Sequence, residues 1–435
     1  MTTDQAPNRF TNKVFFKAFI TGFLILIMLV PAQYVNNLVK EREQRQKQVV
    51  EEVSSKWATA QTFTGPYLVI PYSVSQPGKQ PVTQKMILLP EELKVDGTVT
   101  PAQKHRSIYQ VLLYKAKIEC TGHFRFVLPE NIPATNLKLG ESRICIGISD
   151  FKGIEDKLQL QVNNIPHTLQ PGLPTSEIDN SGFSAPLALT TTNLDTTLSF
   201  RLPLQLKGSS QLHFAPLAAN SSFSLSSPWP SPSFDGSALP SLPADPGPDG
   251  FHATWNFNQA NLPFPVAITT ETVNKQALAF GLTMMEPADQ YVKTLRCTKY
   301  AILFIGLSFA LFFMVELMYK RPVHPLQYLL VGLALTVFYT LLLSISEFIQ
   351  FDLAYLIATV ATVSLISLYV KGYFGNWKIA GIFAGLLSAL YGFIFILIRL
   401  EDTALLVGSI GLFVMLAIVM YISRRINWYG YAANS

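Results

Sequence analysis

The sequence predicts an integral membrane protein: one N-terminal membrane helix, a large β-rich extracytoplasmic domain and a C-terminal bundle of five membrane helices. Three observations carry this expectation. Apolar stretches of membrane-spanning length occur once near the start and five times after residue 298. Residues 37–297 have the Pro, Ser, Asn and Thr content and the period-two alternation of a strand-rich, water-facing domain. Lys and Arg gather in alternate short connections. Across 435 residues, 49% are apolar and only 14% charged, an unusual balance for a soluble chain. The formal charge of +5 is spread along the chain, so nucleic-acid binding has no electrostatic footprint. The expected partners are the lipid bilayer and a periplasmic or membrane protein that the sequence does not identify.

Spanning hydrocarbon about 30 Å thick takes roughly 20 apolar residues in a helix, because every backbone polar group must be satisfied within the segment. After a cytoplasmic N-terminus over 1–14, residues 15–36, centred on AFITGFLILIMLV, predict the first span. Its basic approach, apolar stretch and Val30-Pro31-Ala32 also fit a cleaved signal peptide. The helical pattern continues through Val49, Val50, Val53 and Trp57, which favours an uncleaved anchor leading into the outer domain. The charged stretch over 40–47 reads as a solvated helix face, with a headgroup-binding collar as the alternative.

The remaining spans are expected over 300–319, 326–346, 353–370, 379–398 and 403–422 within 298–422, before a cytoplasmic tail over 423–435. Interfacial aromatics mark their boundaries: Tyr300, Tyr319, Tyr373, Trp377, Trp428 and Tyr429. The connections with Lys320 and Arg321, with Lys371 and Lys378, and the tail with Arg424 and Arg425 hold cations and no acids, which keeps them cytoplasmic. The alternate connections hold Glu347 and Asp352, then Arg399 with Glu401 and Asp402, and fit the outer side. Both termini are thereby expected inside and 37–297 outside; Arg9, Lys13 and Lys17 agree, whereas the cations of 40–47 weaken the local signal.

In the outer domain, Leu198, Phe200, Leu202, Leu204 and Leu206 alternate with Ser199, Arg201, Pro203, Gln205 and Lys207, the pattern of a half-buried strand. Leu112 to Cys120 and Leu158 to Val162 alternate likewise. Pro203 implies an edge strand or a bulge. Such strands between Pro, Gly and Asn turns predict an antiparallel sandwich or barrel-like fold, in one domain or two. Residues 226–250 are too rich in Pro and Ser for a packed element and read as an extended loop, with Trp229 and Phe234 pinning it to its own domain or anchoring a partner. Cys120 falls on the apolar side of its strand and Cys145 faces away from Ile144 and Ile146. Buried thiols are expected for Cys120, Cys145 and Cys297, with a Cys120–Cys145 bridge open in an oxidising compartment.

The common catalytic motifs fail in turn. There is no phosphate-binding GxxxxGK[ST], no GxGxxG and no HExxH, and the six histidines lack ligand spacing. Around Ser149 the sequence GISDF lacks the second glycine of a nucleophile elbow. No catalytic, cofactor-binding or metal residues are therefore expected, and no cofactor. A charge at the bilayer centre costs at least about 2.5–3.5 kcal/mol, so polar positions in the spans are the other place to look. These are Glu316, His324, Glu347, Asp352 and Arg399, all at span boundaries, with Glu316 expected to pair with Lys320. Their placement argues against an ion-coupled pump, while a pore lined by Ser344, Ser346 and Thr362 stays open. Gly381 and Gly385, extended by Ser388, Ala389 and Gly392, form a small-residue face expected to pack inside the bundle.

Several segments occur in an order that resembles one family: GPYLVIP at 65–71, LPEELKVDG at 89–97, SPWPSPSF at 227–234, PADQY at 287–291 with TKYAIL at 298–303, HPLQYLLVGL at 324–333, DTALL at 402–406 and INWY at 426–429. They are similar to the CreD family of bacterial inner-membrane, cell-envelope integrity proteins. The resemblance implies a Gram-negative inner-membrane protein tied to envelope maintenance and stress response, under a carbon-responsive two-component system, with no defined reaction. The resulting expectation is a non-enzymatic envelope protein whose outer domain contacts envelope components. A transporter or permease component coupling the periplasmic domain to the bundle, and a membrane hydrolase acting on lipid or peptidoglycan, are the alternatives.

Overall fold

A computed structural model describes residues 9–74, 80–126, 128–129, 132–241, 247, 249–269, 274–284, 290–319, 322–400 and 403–424. Lys320, Arg321, Glu401, Asp402, Arg425, Trp428 and Tyr429, on which parts of the orientation argument rest, lie outside them, as do the side chains of Arg9 and Lys13. The chain divides into two compact units, Met1–Gln46 with Ala288–Ser435, and Lys47–Pro287.

The second unit is a two-sheet sandwich. In chain order its strands are β1 (Gln61–Val74), β2 (Val82–Leu88), β3 (Glu92–Arg106), β4 (Tyr109–Phe124), β5 (Arg143–Ile148), β6 (Gln159–Val162), β7 (Ile165–Thr168) and β8 (Gln170–Pro171). There follow β9 (Gly182–Pro186), β10 (Leu198–Ser209), β11 (Gln211–Ala215), β12 (Asn220–Ser227), β13 (Pro232–Gly236), β14 (Phe251–Asn258), β15 (Ala267–Ile268) and β16 (Phe280–Met284). One sheet runs β13-β16-β11-β1-β5-β9-β8, with β2 also on β1 and β15 on β2; the other runs β14-β12-β3-β4-β10-β6-β7. The inner faces share one core, in which Phe223 packs edge-on to Phe280 at 4.9 Å and Trp255 lies 5.4 Å from the same ring. One continuous core makes this a single sandwich rather than two domains.

The alternating strand forms as the sequence implies: Leu198 to Leu206 point into the core, and β10 pairs with β4 along its whole length. Pro203 needs a different account from the expected edge or bulge. β10 is interior, but β6 pairs only with Phe200 and Arg201, so the ladder on that side ends before Pro203 and its missing N–H breaks no bond. The expected loop over 226–250 is likewise corrected in part, because Pro232–Gly236 pairs with β16 as an edge strand. Composition was outweighed there by packing: Phe234 meets Phe251 at 5.4 Å and Trp255 at 5.6 Å, both edge-on. Trp229 rests against the same core and donates to the Ser231 carbonyl at 3.0 Å, so both aromatics pin the segment to its own domain.

The other unit holds the long helix α1 (Arg9–Trp57) up to Gln46, and α3 (Gln290–Lys299), α4 (Ala301–Tyr319), α5 (Pro325–Ser346), α6 (Phe351–Phe374), α7 (Trp377–Arg399) and α8 (Ala404–Ser423); the short α2 (Lys275–Leu278) belongs to the sandwich unit. Among the described residues α1, α5, α6 and α7 are long and apolar enough to cross a membrane, and the pair α3 and α4, bent by 44°, makes a fifth if taken as one span. The span expected over 300–319 corresponds to α4, with α3 preceding it across the bend. The last expected span has a shorter apolar stretch, Ala404–Ile418.

The expected packing of the small-residue face fails, and the residues left open as a pore lining separate. A Cβ on Gly381, Gly385 or Gly392 would meet nothing within 4 Å, so this face does not bring helices together within the described bundle. The close approaches occur instead at Gly332, where a Cβ would come within 2.6 Å of Met28, and at Gly411, within 2.1 Å of Phe393. Ser344 is exposed, whereas Ser346 and Thr362 are buried, so the three do not share one lining.

Cys120 lies in the core between the sheets, Cys145 on the opposite face of its own sheet, and Cys297 is buried in the helix unit; all three are free thiols. Maleimide labelling of the detergent-solubilised protein is expected to modify none of them natively and all three after denaturation, with no added reductant required. Fewer than three sites on the denatured, unreduced chain would show a bridge.

Candidate functional site

A charged side chain withdrawn from water must find partners, so the buried carboxylates are where the fold is most constrained. Glu316 on α4 is 6% exposed. Its Oε1 accepts the backbone N–H of Val323 at 2.9 Å and the ammonium of Lys17 from α1, and its Oε2 accepts the Tyr328 hydroxyl at 3.0 Å. Among the described residues the partner cation is Lys17, 299 residues away in sequence; the expected partner Lys320 lies outside them. Sequence spacing shows helical i,i+4 pairs and not tertiary ones, so the Lys17 contact was not visible in it.

The segment at 324–333 builds this site. His324 caps α5, its Nδ1 accepting from Leu326 N–H at 3.2 Å while the Gln327 side chain accepts from the His324 N–H at 3.0 Å. Pro325 starts the helix, where its missing N–H has no intrahelical use. One turn on, Tyr328 binds Glu316 and packs against Phe309 and Phe312 at 5.5 and 5.8 Å. Another turn on, Gly332 receives Met28 of α1. His324 is thus a helix cap, and the motif as a whole seats the first helix.

At the other end of α5, the Tyr291 hydroxyl donates to Glu347 at 3.0 Å and Arg42 Nε approaches to 3.9 Å. Asp352, at the start of α6, pairs with Arg399 at the end of α7, but these side chains are 44% and 60% exposed. Such a surface pair contributes at most about 1 kcal/mol. The five expected polar positions therefore fall at two ends of a 22-residue helix, and the structure does not bring them into one site.

In the sandwich unit, sequence reading missed a cluster built around Asp179. Its carboxylate lies over Gly147, where a Cβ would come within 2.1 Å of it, and it takes the ammonium of Lys275. Tyr67 and Thr64, on either side of Gly65 and Pro66 in β1, face the same carboxylate, and Cys145 packs beside Tyr67. Burial raises the Asp179 pKa, the Lys275 ammonium opposes it, and burial prevails. Burial and the Asp179 charge push the Tyr67 phenol up, and burial pushes the Cys145 thiol up to about 12. A thiol at that value carries almost no thiolate at neutral pH. With Asp179 and Tyr67 at 1% and 0% exposure, the cluster is a closed joint that ties the 173–180 loop and α2 to the sheet. Nothing in the sequence flags it, since Asp179 lies in a loop and Lys275 starts a four-residue helix 96 residues away. Ser149 and Asp150 hold the start of β1 in the same sheet, accepting the N–H groups of Thr62 and Thr59, both at 2.9 Å. Among the described residues no three His, Cys, Asp or Glu side chains converge as a metal site.

Two outcomes follow from these clusters. Lys17→Met strands a buried carboxylate and is expected to destabilise the helix unit by about 3 kcal/mol, whereas Lys17→Met with Glu316→Leu recovers most of that loss; a double-mutant cycle on melting in detergent reads the difference. For Asp179, the folded pKa stands above the usual 3.8, so the folded chain holds a proton that the unfolded chain has released. Stability must then fall as pH rises from about 4 through the folded value, and Asp179→Asn should flatten that part of the melting-temperature profile. An unchanged slope in the variant would assign the dependence elsewhere.

The family profile described as "Inner membrane protein CreD" matches residues 13–429. The curated protein described as "Inner membrane protein CreD" from Escherichia coli (strain K12) is 31% identical over 417 residues, which are 94% of this chain and 92% of that protein. Both the sandwich and the helices lie within these matches, and with several apolar helices they make this a multi-pass inner-membrane protein. The chain belongs to the CreD family of inner membrane proteins.

Proposed function

We propose that the chain is a non-enzymatic protein of envelope maintenance under stress, whose sandwich works on the periplasmic side against another envelope component while the helices hold it in the membrane, with both termini cytoplasmic. The observation that supports this most is that the family match runs unbroken through sandwich and helices, so the sandwich belongs to the inner-membrane protein itself. The buried titratable groups of the sandwich are closed joints rather than reactive centres, which leaves its surface as the working part. On the outer face of the second sheet, a shallow groove of about 430 Å³ is lined by Asp96, Thr98, Lys117, Glu119, Gln205 and Ser224. Mixed charges and hydroxyls of this kind suit a partner recognised through polar contacts and bridging water.

A photo-crosslinking side chain at Gln205 or Ser224, irradiated in living cells, is expected to capture a discrete envelope component, and the same probe at the buried Leu204 is expected to capture none. Smears identical at all positions, or no adduct at any exposed position of the sandwich, would remove the reading.

A further inference from the structure

The last turn of α1 brings Trp57 into the sandwich unit, where three ammonium groups surround its ring. Lys104 Nζ lies 4.6 Å from the indole centroid, Lys207 Nζ 4.9 Å and Lys115 Nζ 6.0 Å. They come from β3, β10 and β4, neighbouring strands of one sheet. The register sets Lys115 directly opposite Lys207, and like charges so placed are destabilising. Among the described residues one carboxylate answers them, Glu155 at 2.8 Å from Lys115. Among the described residues Lys104 and Lys207 have no carboxylate partner. Glu52 is engaged with Lys56 and Arg106, and Asp150 with the N–H groups of Thr59 and Lys152. Lys152 adds a further cation to the same corner, held on the Ser55 carbonyl at 2.6 Å. The Trp57 Nε1 is buried and has no acceptor among the described residues.

A ring face stabilises one exposed ammonium by about 0.5–1 kcal/mol, and its attraction does not neutralise charge. Three cations at one ring with one carboxylate leave an excess of positive charge and of hydrogen-bond donors. We propose that this corner binds a phosphate-bearing ligand, with the phosphoryl oxygens taken by Lys104, Lys115 and Lys207 beside the Trp57 ring. Ammonium groups act as point charges on flexible stems and suit a tetrahedral anion, whether a lipid headgroup or a soluble phosphate carries it. The site stands independently of any protein partner at the groove on this sheet.

The test uses the full-length protein in neutral detergent, with pyrophosphate titrated against tryptophan emission and sodium chloride at matched ionic strength as the control. Trp57→Phe isolates the signal of Trp57 from the other four tryptophans. A second arm places the protein in phosphatidylcholine vesicles with and without phosphatidylglycerol. Pyrophosphate is expected to shift the Trp57 emission, and Lys104→Gln with Lys207→Gln to weaken that response on the order of twentyfold, about fivefold for each lysine removed. A response to phosphatidylglycerol alone, lost in the same double variant, assigns the phosphate to a lipid. The ligand-free double variant should melt close to the wild type, because the ring contacts it loses are offset by relief of the like-charged pair. Silence in both arms, an equal response to chloride, or a double variant that responds as the wild type does overturns the proposal.

Discussion

A carboxylate held among apolar helices keeps its charge only if donors converge on it, and the helix unit is arranged around meeting that condition at Glu316. Its two oxygens gather a cation from α1, a backbone N–H from the connection after α4 and a phenol from α5. Removing any of these elements would leave the others facing an unpaired buried charge, so the first helix is held by an electrostatic requirement as well as by apolar contact. The apolar contact is the seating of Met28 on Gly332, which only a residue without a Cβ permits.

The sandwich meets the same condition with different means. Asp179 is buried under a loop, not between helices, and its charge is answered by Lys275, with the Thr64 and Tyr67 side chains on either side of Gly65 facing it. Gly147 again makes room, this time for the carboxylate itself. In both units a glycine inside an element, an aromatic hydroxyl and a distant lysine cooperate around one acid. These joints lie where periodic structure alone leaves the chain underdetermined: at the entry of a helix into a bundle, and where loops lie across the outer face of a sheet.

Period-two alternation made the strands legible, because burial on one face dictates which residues are apolar. Leu198 to Leu206 could be read directly, and hydrocarbon length placed a helix at each expected span. What escaped were effects that a local window does not contain. The proline-rich segment after Ser227 becomes a strand because Phe234 finds Phe251 and Trp255, and no composition rule sees those rings. Gly381 and Gly385 have the spacing of a helix-contact face, yet the tight contacts form at Gly332 and Gly411, which lack that spacing. Of the polar positions singled out at the span ends, Glu316 and Glu347 do collect partners, whereas His324 proves to be a cap and Asp352 with Arg399 a surface pair. Several of the family-resembling segments carry physical roles: 65–71 contributes Tyr67 to the Asp179 joint, 227–234 is pinned to the core through Phe234, and 324–333 seats α1.

The same geometry bears on how the N-terminal helix should be understood. A cleavage near Ala32 would remove both Lys17 and Met28, leaving Glu316 with only neutral donors among the described residues and exposing the notch at Gly332. A buried carboxylate deprived of its cation either destabilises its surroundings by several kcal/mol or takes up a proton. A signal peptide has no reason to be matched by a charge inside the protein it leaves behind. The Lys17–Glu316 pair therefore argues that the helix is retained as a working part of the bundle. On that argument the basic residue within the first apolar stretch is as much a structural element as the hydrocarbon around it.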